Sequence, residues 1–322
     1  MTQHHTRVLV LGGTGFVGRS VCERLVTRSG GASALVRVPT RREQHANSIR
    51  HLPTLQVVPA DVHDPAQLAT LVQGVDAVVQ LVAILHGSAD AFRRAHVELL
   101  HKLAQACKAA GVKRLVQVSA LGVGPQAPSN YLRSKTEGEA VLRAAGLDLT
   151  VLRPSVIFGA EDRFLNVFAK LQSVAPVMPL AGSAARFQPV WVEDVASAIV
   201  NALDRPDSIG QTYECTGPGT YTLSQLVRLA GRWSGHERWQ IPLPAAVGRL
   251  QALVMECLPG EPLMSRDNVD SMSVPNVATG TLPGLEALGI TPAALEAIAP
   301  GYLGSEHGRA KLERLRAGAG RD

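Results

Sequence analysis

An apolar run, Val8-Leu9-Val10-Leu11, leads straight into Gly12-Gly13-Thr14-Gly15-Phe16-Val17-Gly18, after which Val17, Val21 and Leu25 share one helical face. This strand–loop–helix pattern constrains the chain more than any other feature. The loop satisfies both GxGxxG (Gly13, Gly15, Gly18) and GxxGxxG (Gly12, Gly15, Gly18). Gly12 allows a tight turn, Gly15 lets backbone approach a pyrophosphate, and Gly18 lets the helix pack close to the strand. The helix N-terminus presents unpaired N–H groups and a positive dipole to phosphate. Gly12, Thr14, Gly15, Phe16, Val17 and Gly18 are the candidate residues of this cradle.

The first two thirds of the chain continue the alternation. Arg7–Leu11, Ser33–Val36, Gln56–Pro59, Ala77–Val82, Arg114–Ser119 and Leu149–Leu152 read as strands, and such apolar runs suit a parallel sheet buried on both faces. Asp64-Pro65 reads as an N-cap followed by Pro at the first helical position, and Gly111 and Gly146 stand where helices stop. A βαβα order opened by a glycine loop predicts an α/β fold, a doubly wound parallel sheet of the Rossmann type. The regularity breaks near residue 155. Phe187–Val192 reads as one more strand, with Asp194 capping a helix over Val195–Leu203. The expected division is a dinucleotide-binding domain over 1–155, rejoined by 187–205, and a smaller irregular C-terminal lobe over 156–186 and 206–322, frayed after about 305. In that lobe Thr222 and Gln225 form a capping box, with Tyr221 and Leu226 as its hydrophobic staple.

Charge placement narrows the ligand. The net charge is +5, yet residues 1–50 hold eight Arg against Glu23 and Glu43, while the remainder balances at 24 basic against 25 acidic residues. With only six Lys in the chain, a local anionic ligand fits better than a nucleic acid. The second strand is expected to end in Arg37, where an NAD site would carry an acidic residue for the ribose 2′-OH, and Arg41 and Arg42 follow. A guanidinium there suits a 2′-phosphate, so NADP(H) is expected in preference to NAD(H). Arg41 and Arg42 also read as a solvated basic loop. Asp61, after the third strand, is either an adenine contact or a turn residue; Val62, Val82 and Ala83 are further candidate cofactor contacts.

Ser119 ends the fifth strand, Tyr131 follows twelve residues on, and Lys135 four after that, with Ser129 or Asn130 capping the helix. The i,i+4 spacing puts phenol and ammonium on one face. A nearby cation lowers a phenol's pKa, which would suit Tyr131 to acid–base work, with Lys135 also holding a ribose and Ser119 orienting a substrate oxygen.

With these residues in place the chain resembles the short-chain dehydrogenase/reductase superfamily, in its extended or atypical branch. Along Arg153-Pro154-Ser155-Val156-Ile157-Phe158-Gly159, Glu161-Asp162-Arg163-Phe164-Leu165-Asn166, Phe187-Gln188-Pro189-Val190 with Asp194-Val195, and Leu282–Ile290, it is similar to the NADPH-binding accessory subunit of respiratory complex I and its bacterial relatives. The resemblance spans about residues 6–300. It implies Ser119, Tyr131 and Lys135 as a catalytic set, Arg37 at the 2′-phosphate, and Pro154 and Ile157 near the nicotinamide end. Many active members carry an Asn in a Val-Asn step on the fourth helix that supports a proton relay; here the step is Ala95-His96, and His96 is either a substitute relay or an ordinary helix histidine. The resemblance implies an NAD(P)-dependent oxidoreductase acting on a small carbonyl or alcohol, with two alternatives: a non-catalytic, nucleotide-stabilised accessory protein of a respiratory or quinone-related complex, or an epimerase/dehydratase.

The remaining signals are bounds. Cys22, Cys107, Cys215 and Cys257 are widely spaced without a CxxC, and read as reduced thiols in a cytoplasmic setting. The ten His are scattered and suggest no metal site. No secretory signal core and no membrane-spanning run is expected. Ala245–Leu258 carries Ala246, Val247, Leu250, Leu253, Val254, Cys257 and Leu258 at helical spacing. That face is either ordinary core or, with the basic tail at Arg309, Lys311, Arg314 and Arg316, a peripheral, salt-sensitive membrane contact on the inner face of the cytoplasmic membrane.

Overall fold

The structure, a computed structural model, describes residues 6–28, 35–257 and 262–304. In chain order the main elements are β1 (Arg7–Leu11), α1 (Phe16–Arg28), β2 (Leu35–Thr40), β3 (Leu55–Pro59), α2 (Pro65–Leu71), β4 (Ala77–Gln80), α3 (Ala89–Arg93), α4 (Leu99–Ala110), β5 (Arg114–Val118), α5 (Asn130–Ala144) and β6 (Asp148–Pro154). There follow β7 (Ile157–Phe158), α6 (Leu165–Val174), β8 (Val177–Ala181), β9 (Arg186–Phe187), β10 (Val190–Trp191), α7 (Val192–Asp204), β11 (Thr212–Cys215), β12 (Tyr221–Thr222), α8 (Leu223–Trp233), β13 (Trp239–Leu243), α9 (Ala245–Glu256), α10 (Arg266–Ser271) and α11 (Leu295–Leu303).

The chain divides into two units. The first holds the described residues of Met1–Ser155, Val192–Thr216 and Ala278–Thr291. Its seven-stranded sheet has the order β3-β2-β1-β4-β5-β6-β11, every neighbouring pair parallel. Leu9, Leu11, Val78, Leu115 and Val151 pack on one face with Leu68 of α2, Leu103 of α4 and Leu142 of α5. By strand alternation Val8 and Val10 face the other way, and α1 and α7 lie against β1, β2, β5 and β6. Arg24–Glu193 at 2.9 Å and Arg28–Asp204 tie α1 to α7. This is the expected doubly wound, Rossmann-type sheet.

Local punctuation follows the sequence closely. Asp64 caps α2 through Ala66 and Gln67 N–H, Gly111 takes the left-handed conformation after α4 (φ 72°), and Ser129, not Asn130, caps α5 through the Leu132 N–H. Three expectations need correction. The strand expected to end at Arg37 runs on to Thr40; Ser33 and Ala34 lie outside the described residues. Buried Val36 and Val38 keep it in the sheet through Arg37. The strand expected over Phe187–Val192 is two short strands separated by Gln188-Pro189, and Val192 already opens α7, which places Asp194 in the helix's first turn rather than at its cap. Finally, 206–216 and 278–291 belong to the first unit and 187–191 to the second. β11 pairs with β6, and 278–291 is tied to β11 by Glu214 N–H donating to Pro283 O and by Thr279 donating to the Glu214 carboxylate.

The second unit comprises the described residues of Val156–Trp191, Gly217–Val277 and Pro292–Asp322. It holds three two-stranded pairings, β7–β10, β9–β12 and β8–β13, around a core that includes Phe158, Leu165, Leu180, Leu226 and Leu295. The capping box of Thr222 and Gln225 opens α8. Asp162 organises the turn before α6: its carboxylate accepts N–H groups of Gly159, Phe164 and Asn166, and the Tyr302 hydroxyl at 3.0 Å. α9 ends at Glu256; Leu258 and the tail after 304 fall outside the described residues. No helix among the described residues is long and apolar enough to cross a membrane.

Candidate functional site

The glycine loop is built for close approach. Gly12 has φ +84° and its carbonyl accepts the Gly15 N–H at 3.0 Å. A Cβ on Gly12 would sit 3.1 Å from the Val82 nitrogen, and one on Gly18 only 2.3 Å from the Gly12 oxygen. The loop therefore folds back on α1 as no side-chain-bearing residue would allow at Gly18. Thr14 precedes the helix and its carbonyl accepts the Arg19 Nε–H at 3.3 Å. Phe16, Val17 and Gly18 form the first turn of α1, whose N–H groups have no partner within the helix. A diphosphate fits this cradle on backbone grounds alone.

The neighbouring strand ends complete the rim. Gln80 is buried at the end of β4; its amide oxygen accepts the Val82 N–H at 3.0 Å and its nitrogen donates to the Val82 oxygen at 3.3 Å. This clamp fixes Val82 beside Gly12, and Ala83 follows it. Asp61 lies past β3, its carboxylate accepting the His63 N–H, and Val62 follows.

Arg37 requires a correction. It sits within β2, paired with Leu9 and Gln56, and its guanidinium donates to Leu71 O at 2.6 Å and Gln73 O at 3.0 Å. A helix between parallel strands runs opposite to them, so the carbonyl end of α2 lies at the amino edge of the sheet, away from the glycine loop. Arg37 satisfies helix-end carbonyls there. The residues that follow the carboxyl end of β2 are Arg41 and Arg42, both exposed.

Ser119 follows β5, with its N–H bonded to Leu152 O at 2.7 Å. Its hydroxyl is buried and has no hydrogen-bond partner among the described residues, a cost of about 1–3 kcal/mol that a structural serine would relieve. Lys135 is buried on α5 and donates from Nζ to Val118 O at 3.0 Å, next to Ser119. Burial pulls its amine down from 10.5 to about 8, against the pull of Glu139 one turn on. Tyr131 differs from expectation: burial governs its phenol and pushes it up to about 12, so it is a neutral proton donor near neutral pH.

His96 lies in a π-helical turn, Arg94–Glu98, that joins α3 to α4. Its ring is buried; Nδ1 lies 2.8 Å from Ser134 Oγ and Nε2 accepts the Ile84 N–H at 3.1 Å. Ser134 Oγ donates to Tyr131 O at 2.8 Å, so it accepts from His96, which fixes the proton on Nδ1. Burial, then Lys135, lower the imidazole to about 3. His96 is therefore a neutral clamp between the Tyr131 helix and the loop after β4, not a proton relay. The Tyr131 ring meets its edge at 5.6 Å. A Cβ on Gly138 would lie 2.1 Å from His96 O, so α5 needs glycine there.

Sequence reading missed Gln80, Ser134 and the pair of half-buried Arg153 with buried Glu139, in which Nε and Nη2 meet the two carboxylate oxygens at 2.9 and 2.6 Å. A polar residue ending an otherwise apolar strand was the only signal for Gln80. Pro154 ends β6 in the first unit, whereas Ile157 lies on β7 in the second.

The chain is similar to known proteins. A family model described as NAD(P)H-binding matches residues 12–206. The mitochondrial NADH dehydrogenase [ubiquinone] 1 alpha subcomplex subunit 9 of Mus musculus is 34% identical over 294 residues, covering 89% of this chain and 77% of that protein. A ceramide reductase of Caulobacter vibrioides is 29% identical, covering 74% of this chain and 73% of that one. Among solved structures, an NADPH-dependent quinone oxidoreductase of Escherichia coli complexed with NADPH has a TM-score of 0.71 at 21% identity, covering 91% of this chain and 98% of that chain, a likeness of fold. With the glycine loop, the parallel sheet and these relatives in agreement, the chain belongs to the NAD(P)H-binding family.

Proposed function

We propose that the protein is an atypical short-chain dehydrogenase/reductase that binds NADPH in preference to NADH and reduces a small carbonyl compound. The observation that carries this reading is the buried, unpartnered Ser119 hydroxyl beside the Lys135–Val118 contact. A bound nicotinamide dinucleotide supplies the hydride. Gly12, Gly15 and the first turn of α1 hold its diphosphate, and Arg41, with Arg42, meets the 2′-phosphate in place of Arg37. Gln80 holds Val82 and Ala83 against the cofactor, with Asp61 and Val62 at the adenine side and Pro154 toward the nicotinamide. Ser119 donates a hydrogen bond to the substrate oxygen, and Tyr131 donates the proton as that oxygen gains charge. Lys135 holds the ribose and supports the phenolate left behind.

Similarity to a respiratory-complex subunit favours a second reading, an accessory protein whose bound dinucleotide stabilises the fold. Titrating NADPH and NADH into wild type and Arg41→Ala tests the cofactor assignment. Tighter NADPH binding, weakened roughly ten- to hundredfold by Arg41→Ala with NADH unaffected, is the expected result. Equal affinities in the wild type would overturn it.

A further inference from the structure

The second unit carries a helix turned inside out. α9 buries its small residues, Gly248 and Ala252, and leaves Val247, Leu250 and Val254 46%, 61% and 57% exposed. A Cβ on Gly248 would lie 2.5 Å from the Ala181 Cβ, so α9 crosses the face of β8 that bears Ala181. By strand alternation and register, Val177 and Pro179 of β8 and Trp239 and Ile241 of β13 share that face. All four are exposed, Trp239 at 84%. On the opposite face Met178 and Leu180 join the core and Gln240 bonds Ser224 of α8, while Pro242 is exposed. Helix and strand pair thus each present large exposed apolar side chains in one unit, more than the scatter of single exposed residues usual on a soluble protein.

Its border is cationic. A hollow of about 440 Å³ beside β13 is lined by Arg228, Arg232, Arg238 and Trp239, with Glu237 the one acid in its lining among the described residues. Glu237 is shared by Arg228 and Arg232, leaving a surplus of positive charge. The charges of α9 itself are balanced locally, Arg249 by Asp270 and Glu256 by Arg266. An exposed tryptophan between an apolar face and arginines is the arrangement that suits the headgroup boundary of a bilayer. A second copy pairing about a two-fold axis would set this cationic border against itself.

We propose that this face docks the protein peripherally on an anionic phospholipid bilayer, with Val247, Leu250, Val254, Trp239 and Ile241 entering the interface and Arg228, Arg232 and Arg238 meeting lipid phosphates. The test is flotation of the full chain with phosphatidylcholine vesicles, with and without phosphatidylglycerol, at low and high salt, for wild type, Leu250→Ser/Val254→Ser and Arg228→Ala/Arg232→Ala. NADPH binding and sedimentation serve as controls of fold and oligomeric state. The wild type should float only with the anionic vesicles and be released by high salt. Each double variant should lose at least about tenfold in vesicle affinity while keeping wild-type NADPH binding. Failure to float with anionic vesicles at low salt, or flotation unaffected by the serine pair, would overturn the proposal. A wild-type dimer converted to monomer by that pair, without lipid binding, would assign the face to a second copy instead.

Discussion

Replacing Lys135 by methionine should make the protein more stable and a worse nucleotide binder. The amine is buried, and desolvation lowers it from 10.5 to about 8. That shift amounts to roughly 3 kcal/mol against the charged form. Methionine has similar reach and no charge, but it gives up the bond to Val118 O, returning about 1–2 kcal/mol. The net expectation near neutral pH is a gain of about 1–2 kcal/mol, a few degrees in melting temperature. The sign with pH follows from linkage. Between about pH 8 and 10.5 the unfolded lysine holds its proton and the folded one does not, so wild-type stability rises across that window. The penalty is complete below about pH 8 and gone near the unfolded value, so the variant's advantage should shrink toward about pH 10. Thermal melts of ligand-free protein at about pH 7 and about pH 10, with NADPH titrations, measure both halves. A variant less stable than wild type near neutral pH, or an advantage indifferent to pH, would refute the burial argument.

Other substitutions separate site from scaffold. Arg37→Ala should leave the NADPH-to-NADH affinity ratio unchanged while lowering the denaturation midpoint, because its guanidinium serves the end of α2; cofactor titration and urea melts check this. Gly18→Ala should abolish nucleotide binding and cost at least about 2 kcal/mol, since its Cβ would lie 2.3 Å from a backbone oxygen; calorimetry and melts report both. Glu139→Gln should destabilise by about 1–2 kcal/mol through the weakened bonds to half-buried Arg153, read from denaturant unfolding. His96 should stay neutral down to acid pH, so its imidazole NMR signals should show no titration between about pH 5 and 8, and a midpoint there would restore the relay reading.

Features set by neighbouring residues were legible in the chain. The glycine loop, the Asp64 and Thr222 caps and the Gly111 stop each depend on backbone groups a few residues away, and they stand where the pattern puts them. Partners distant in sequence were not legible. The role of Arg37 depends on Leu71 and Gln73, and that of His96 on Ile84 and Ser134. The raised phenol of Tyr131 shows the same limit: spacing placed a cation on its helix face, but burial, invisible in the spacing, decides its protonation. The return of 278–291 to the first unit rests on Glu214, more than sixty residues earlier than Thr279. The Glu161–Asn166 block, conspicuous in the resemblance, places Asp162 at the hub of a turn in the second unit.

In the proposed reaction Tyr131 delivers a proton to a carbonyl while NADPH is oxidised. The most direct measurement is anaerobic rapid mixing of NADPH-loaded protein with a soluble quinone, an aromatic aldehyde and a long-chain aliphatic ketone, following nicotinamide absorbance in wild type and Tyr131→Phe. Oxidation by at least one of the three is expected in the wild type, slowed at least about a hundredfold in Tyr131→Phe, with NADPH affinity retained. NADPH that stays bound and reduced against all three, or an oxidation rate the same with and without the Tyr131 hydroxyl, would contradict it.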